Sequence, residues 1–283
     1  LAGVALLMVG LAFKVAAVPF HFWTPDVYQG APTPSTSFMA SVGKFAAFAA
    51  MLRVLTTALG ARADDWRPVV WVLAVASVVV GSVLAVVQSD VKRMLAYSSI
   101  GHAGFILIGV EAAGHAGDQD GIPSSLLYLL LYSVLVIGTF TVVTLVTRSG
   151  DRASDIGSFR GLGKERPLLA LAMTVFLLAH AGMPVTSGFI AKFSVIKAAA
   201  DNESYAVAII AMVASVVSAF LYLRIMISMW MSDAESGDEA REKVTVPWTA
   251  GVVVLASVVF TLVAGVFPGW LIDATRDALV VVR

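Results

Sequence analysis

The sequence contains no cysteine, which excludes disulfides, cysteine-ligated iron–sulfur clusters and thiol nucleophiles. Charge is scarce as well: Asp, Glu, Lys and Arg make up only 13% of 283 residues, and they cancel to a net charge of +0. Such a balance offers no basic surface for nucleic acid. Also missing are a phosphate-binding glycine loop, a dinucleotide fingerprint, an H-E-x-x-H pair and a nucleophile elbow. Any redox or hydrolytic energy this chain uses must therefore come from another chain. One further absence matters most: no Asp or Glu lies in the middle of any long apolar run.

What is present is apolar. Hydrophobic residues reach 59% and the mean hydropathy is +0.88, more than an ordinary soluble domain sustains. The apolar runs are helix length, far longer than barrel strands. They predict an all-α integral membrane protein in contact with the lipid bilayer. About eight transmembrane segments are expected, at 1–23, 36–59, 69–88, 92–111, 123–147, 168–200, 205–231 and 247–270. Pro123, Pro167 and Pro247 fall at helix starts, where a missing amide is harmless. Trp66, Trp71, Trp230, Trp248 and Trp270 cluster at segment ends, as interfacial anchors do. The first residue already lies inside an apolar run, so the chain is expected to be the C-terminal portion of something longer.

Eight segments make the loops alternate sides. One side collects Lys92, Arg93, Arg148, Arg152, Arg160, Lys164, Arg166, Arg241 and Lys243. The other collects fewer, among them Arg62, Arg67, Arg276 and Arg283. The positive-inside rule then predicts that the 148–166 loop is cytoplasmic and the C-terminus outside.

Two segments are not plain helices. The first meets Pro19 and then Pro25, and the sixth breaks at Gly182-Met183-Pro184-Val185-Thr186-Ser187-Gly188. Such breaks free backbone groups that lipid cannot satisfy, so they must face protein or a wet cavity. Interrupted helices at matching positions of two halves point to an inverted-repeat transporter. Here they lie five segments apart, an odd spacing that gives them opposite orientations. The expected division is 1–68 as the end of a first antiporter-like half, 69–231 as a second five-helix half with its broken helix at 168–200, and 232–283 as a cytoplasmic loop plus a last transmembrane helix.

The breaks are flanked by ionisable residues. A lysine near the middle of a membrane helix costs about 2.5–3.5 kcal/mol on insertion scales, so each needs a reason. Lys14 precedes Pro19 by one turn, and snorkelling from a helix end is the competing explanation. Lys44 shares a polar stripe with Ser37 and Ser41, deep in an apolar helix. Lys192 follows the second break between Phe189 and Phe193, whereas Lys197 and Arg224 suit snorkelling near segment ends. His21 follows the first break, and His102 sits mid-segment behind Ser98 and Ser99. His102 fits a packing role and a relay role equally well. Tyr128, Tyr132 and Thr139 form another polar stripe. His180 borders the second break, where a structural role would suffice, and Glu111 at its helix end is expected to be solvated. Burial disfavours a charged ammonium and a nearby carboxylate favours it, so a buried lysine can switch charge when a partner moves. The candidate set is a proton relay of Lys14, His21, Lys44, His102 and Lys192, with the partner carboxylate missing.

Three stretches carry a family resemblance: Phe20-His21-Phe22-Trp23-Thr24-Pro25-Asp26-Val27-Tyr28-Gln29-Gly30-Ala31-Pro32-Thr33-Pro34; Asp90-Val91-Lys92-Arg93-Met94-Leu95-Ala96-Tyr97-Ser98-Ser99-Ile100-Gly101-His102; and the second break continued through Phe189-Ile190-Ala191-Lys192-Phe193. The sequence resembles the antiporter-like membrane subunits of NADH–quinone oxidoreductase (respiratory complex I), in the form of subunit N rather than of its relatives L and M. The resemblance covers essentially the whole chain and implies helices seven to fourteen of that family. It implies proton-relay roles for Lys14, Lys44, His102 and Lys192. It also places the family's essential glutamate upstream of Leu1. His180 departs from the small residue expected there. The implied activity is that of a proton-translocating subunit driven by quinone reduction elsewhere. No cofactor is expected in this chain, while partner subunits would carry FMN, iron–sulfur clusters and quinone. The implied partners are antiporter-like neighbours and small core membrane subunits, in the plasma (inner) membrane. A cation/proton antiporter or membrane-bound hydrogenase subunit is the close alternative, and a non-pumping structural subunit the more distant one.

Overall fold

The computed structural model describes residues 2–147, 154–232 and 244–278. Arg148, Arg152, Arg241, Lys243 and Arg283, all counted in the loop-charge argument, lie outside the described residues. Six described helices are long and apolar enough to cross a membrane. They are α3 (Thr33–Ala58), α4 (Ala63–Val86, entered through a short turn from Gly60), α5 (Val91–Ala112), α6 (Gly121–Thr147), α9 (Tyr205–Met231) and α10 (Trp248–Val266). The other two expected segments are each split, α1 (Ala2–Val15) from α2 (Trp23–Gly30), and α7 (Pro167–Ala181) from α8 (Ser187–Asp201). A short helix, α11 (Gly269–Asp277), follows the last span. The chain is thus an all-helical, multi-pass membrane protein, with no strand among the described residues beyond one bridge between Asp90 and Asp155.

Both breaks follow a left-handed residue, which stops a helix by turning its last carbonyls outward. Ala16 has φ 62° and Gly182 φ 88°. The freed backbone groups find partners, as burial away from water demands. The Val18 amide donates to Ser77 Oγ on α4 at 2.9 Å, and the Ala181 carbonyl accepts from Lys192 Nζ at 3.0 Å.

Helix α5 is the axis of the bundle, buried along nearly all of its length. It approaches α4 closely because both faces are made of small residues. A Cβ on Gly81 would stand 2.4 Å from the Gly101 amide, and one on Gly104 2.6 Å from Val78. That contact fixes the height and rotation of His102. At its start, Asp90 caps α5 by accepting from the Arg93 amide at 2.8 Å. Two of the resemblance stretches dock there: Arg93 donates to Asp26 at 2.6 Å and to Gln29 at 3.1 Å. Lys92, counted above as a loop cation, is instead fully buried and donates to the Ala31 carbonyl at 2.7 Å.

Candidate functional site

Helix α3 changes to a wider π turn at Met39–Gly43, directly before Lys44. Such widened turns recur at functional sites because they rotate the following side chains off the regular stripe. Ser37, ahead of the turn, is half-buried, while Ser41 within it and Lys44 after it reach the interior, 1% and 4% exposed. Its ammonium donates to the Ser99 carbonyl at 2.7 Å and to Ser99 Oγ at 2.6 Å. It also stands 5.9 Å from the centre of the Tyr132 ring. No carboxylate touches it among the described residues; backbone and hydroxyl oxygens satisfy it instead.

His102 also packs against Tyr132, with ring centres 4.8 Å apart. Its Nδ1 meets the Tyr128 hydroxyl at 2.7 Å. Its Nε2 meets His180 Nδ1 at 3.2 Å and the Tyr222 hydroxyl at 3.3 Å. Tyr222 in turn bonds Ser98 Oγ at 2.6 Å, one residue before the serine that holds Lys44. The remaining nitrogen of His180, Nε2, bonds Thr139 Oγ1 at 3.1 Å, and its ring stacks on Tyr222 at 5.7 Å. One residue after His180, the Ala181 carbonyl receives Lys192. The lysine thereby sits at the negative end of the α7 dipole, which favours a cation there. Its ammonium also lies 4.9 Å from the centre of the Phe105 ring.

The result is a buried cluster of alternating donors and acceptors drawn from α3, α5, α6, α7, α8 and α9. A void of about 10 Å³ opens between His102, Tyr128 and Tyr132, at the lower limit for one water. Tyrosine hydroxyls and imidazoles both accept and give protons, and here they form a hydrogen-bonded network of His102, His180, Tyr128 and Tyr222 between the two lysines. Among the described residues no group of three or more His, Asp or Glu side chains could hold a metal ion.

Three of the five relay candidates, Lys44, His102 and Lys192, come together. Lys14 does not: it is exposed on α1, with no hydrogen bond or ion pair to a described residue. His21 is half-buried in the linker after the first break, its Nδ1 without a hydrogen-bond partner. Two members escaped the sequence reading. His180, for which a structural role would suffice on sequence grounds, bonds His102, and its position beside the break is the local signal for it. Tyr222 carries no local signal, because its partners lie on other helices. Glu111, expected to be solvated, is 3% exposed, because Ser204, His115 and Arg67 cover it.

Two interrupted membrane helices around a buried lysine–histidine–tyrosine cluster define a protein of the antiporter-like membrane class. Residues 1–218 match the family described as NADH:quinone oxidoreductase/Mrp antiporter, TM, and the chain belongs to that family. It is 48% identical over 283 residues to NADH-quinone oxidoreductase subunit N 3 of Streptomyces griseus, covering 100% of this chain and 50% of that one. It is 47% identical to subunit N of Rhodococcus opacus, covering 100% of this chain and 51% of the relative. The chain thus spans about half the length of the curated relatives it matches. Among solved structures, it superposes on a chain of respiratory complex I from Thermus thermophilus with a TM-score of 0.81 and 37% identity, over 96% of this chain and 58% of that one.

Proposed function

We propose that this chain carries the second half of a proton-translocating subunit N of NADH–quinone oxidoreductase, in a bacterial plasma (inner) membrane. The observation that supports this reading is the burial of Lys44 and Lys192 on either side of the hydrogen-bonded His102–His180 pair, with Lys44 held by Ser99 and Lys192 by the Ala181 carbonyl. Quinone reduction in partner subunits holding FMN and iron–sulfur clusters supplies the energy, and no redox centre resides in this chain. Each outward proton works against about 2.3 kcal/mol per 100 mV of membrane potential.

In this reading Lys44 receives a proton and gives it up when a neighbouring charge changes. The Tyr132 ring lies near both Lys44 and His102, and the proton passes between them through water that enters when the site opens; His180 hands it toward Lys192. Lys14 and His21 belong to the uptake side, where the family's glutamate lies upstream of Leu1. The division at 1–68, 69–231 and 232–283, the cytoplasmic 148–166 loop and the outer C-terminus belong to the same proposal. Similarity to subunit N relatives along the whole of this chain supports this reading over a free cation/proton antiporter, a hydrogenase subunit or a non-pumping scaffold.

The test is Lys44→Ala in the full-length subunit within its assembled complex, reconstituted in vesicles. Quinone-coupled proton pumping is expected to fall sharply while assembly persists. Pumping at the parent rate in that variant would remove Lys44 from the mechanism.

A further inference from the structure

Glu111 is a buried carboxylate that the relay just described does not use. It lies on α5, the same helix as His102, nine residues further on and so roughly 13 Å along the axis. Its Oε1 is 3.0 Å from His115 Nε2 and 4.0 Å from Arg67 Nε. The Ser204 hydroxyl donates to both its oxygens at 3.3 and 3.4 Å. His115 and Arg67 also line a cavity of about 510 Å³ at this end of the bundle, with Asp64, Asp118 and the Ala113–Gly117 backbone in its wall. Glu111 does not line that cavity. It stands one side chain behind the wall, and His115 connects the two.

A hydroxyl seam leads toward it from the centre. Tyr128, bonded to His102, is followed one turn back along α6 by Ser125 and Ser124, both buried. These two hydroxyls sit over Gly109, where a Cβ would stand 2.3 Å from Ser125 Oγ and 3.2 Å from Ser124 Oγ. Ser124 donates to the Gly121 carbonyl at 3.0 Å and Ser125 to the Ile106 carbonyl at 3.5 Å, so water must bridge them to Tyr128 and to Glu111. Gly109 is two residues from Glu111, and any larger residue there would close the seam.

We infer that Glu111 and His115 form the proton-release station on the side of the membrane opposite Lys92, fed through Tyr128, Ser125 and Ser124. The inference rests on the proposed relay. A proton leaving the His102 cluster crosses the seam with the help of water and is taken by the Glu111 carboxylate, giving the carboxylic acid. The acid's O–H proton passes to His115 Nε2, restoring the carboxylate beside Arg67. The imidazolium then sheds its Nδ1 proton to water in the cavity, leaving the Nε2–H tautomer, which regains the Nδ1–H form by proton exchange with cavity water before the next turnover. Among charged groups, Arg67 and His115 face the carboxylate, while Asp64 and Asp118 face the cavity. Asp118 is itself held by Asn202 at 2.8 Å and the Gly121 amide at 2.7 Å.

The experiment compares Glu111→Gln with the parent complex in vesicles, using the full-length subunit. Glutamine keeps the size and the bonds to Ser204 and His115 but cannot titrate. A positioned proton-transfer group contributes roughly 10²–10⁴-fold, so pumping is expected to fall by at least about tenfold. A carboxylic acid C=O band in the redox-induced infrared difference spectrum is expected to vanish with it. Should Glu111→Gln fail to assemble, the double variant Ser124→Ala/Ser125→Ala, which leaves the carboxylate in place, decides by the same pumping assay. Parent-level pumping in the deciding variant, or a C=O band unchanged in Glu111→Gln, overturns the station. Lys44→Ala run in parallel separates the two readings: if it abolishes pumping while Glu111→Gln does not, only the release station fails. If neither variant lowers pumping, the relay itself fails.

Discussion

His180 Nδ1 and His102 Nε2 face each other at 3.2 Å, with ring centres 5.1 Å apart. A hydrogen bond between two ring nitrogens needs one to donate and the other to accept. The pair therefore cannot be doubly protonated without breaking, and it holds one transferable proton between helices α5 and α7. Tyr222 stacks on His180 and bonds His102, so it fixes both rings at once.

Replacing His180 by leucine removes that bridge while keeping the site apolar and filled. Losing one buried hydrogen-bonded link is worth about 1–3 kcal/mol, or roughly 5- to 150-fold in a rate. Proton pumping by the assembled complex is expected to slow within that range. Glutamine at His180 keeps hydrogen bonding without ring titration, and it is expected to restore stability but not pumping.

Arginine at Lys44 tests whether the ammonium must release its proton. Guanidinium keeps the charge but does not deprotonate in proteins. Pumping by Lys44→Arg is expected to stay well below the parent rate, and full restoration would exclude a deprotonation step at this position.

Gly182→Ala addresses the second break. A left-handed conformation costs a non-glycine residue roughly 1–2 kcal/mol. In addition, the new Cβ would stand 2.9 Å from Lys192 Cδ. Thermal unfolding of the complex is expected at a lower temperature, and pumping is expected to fall because Lys192 is pushed from the Ala181 carbonyl.

The docking of α2 on α5 separates an exposed bond from a buried one. The Asp26 side chain is 73% exposed in its ion pair with Arg93, so Asp26→Asn is expected to change stability by less than about 1 kcal/mol. Lys92→Met leaves the Ala31 carbonyl without its donor in a buried setting, a loss of about 1–3 kcal/mol. Melting curves of the two variants are expected to differ accordingly.

Much of this architecture is legible in the sequence, because lipid imposes a simple rule on helix length and on broken backbone. The eight segments, the breaks near Pro19 and Pro184, and the interior placing of Lys44, His102 and Lys192 all follow from local runs and stripes. What local pattern cannot carry is which faces meet. The His102–His180 contact joins residues 78 positions apart, and the Ser98–Tyr222 bond joins residues 124 apart. The π turn before Lys44 has no recognisable signature in Met39–Gly43. Glu111 looked solvated because it ends a helix, yet Ser204 and Arg67 from distant segments close over it. Lys92 looked like a loop cation because its own neighbours are polar, yet the end of α2 covers it.

The central claim is that Lys44 and His102 act in one path rather than side by side. The most direct measurement is quinone-coupled proton translocation in vesicles for Lys44→Ala, His102→Leu and the double variant. Groups acting as a unit are strongly non-additive. Each single variant is expected to lose most of the pumping, with the double variant no worse than either. Parent-level pumping in either single variant, or losses that multiply in the double, would contradict a shared path.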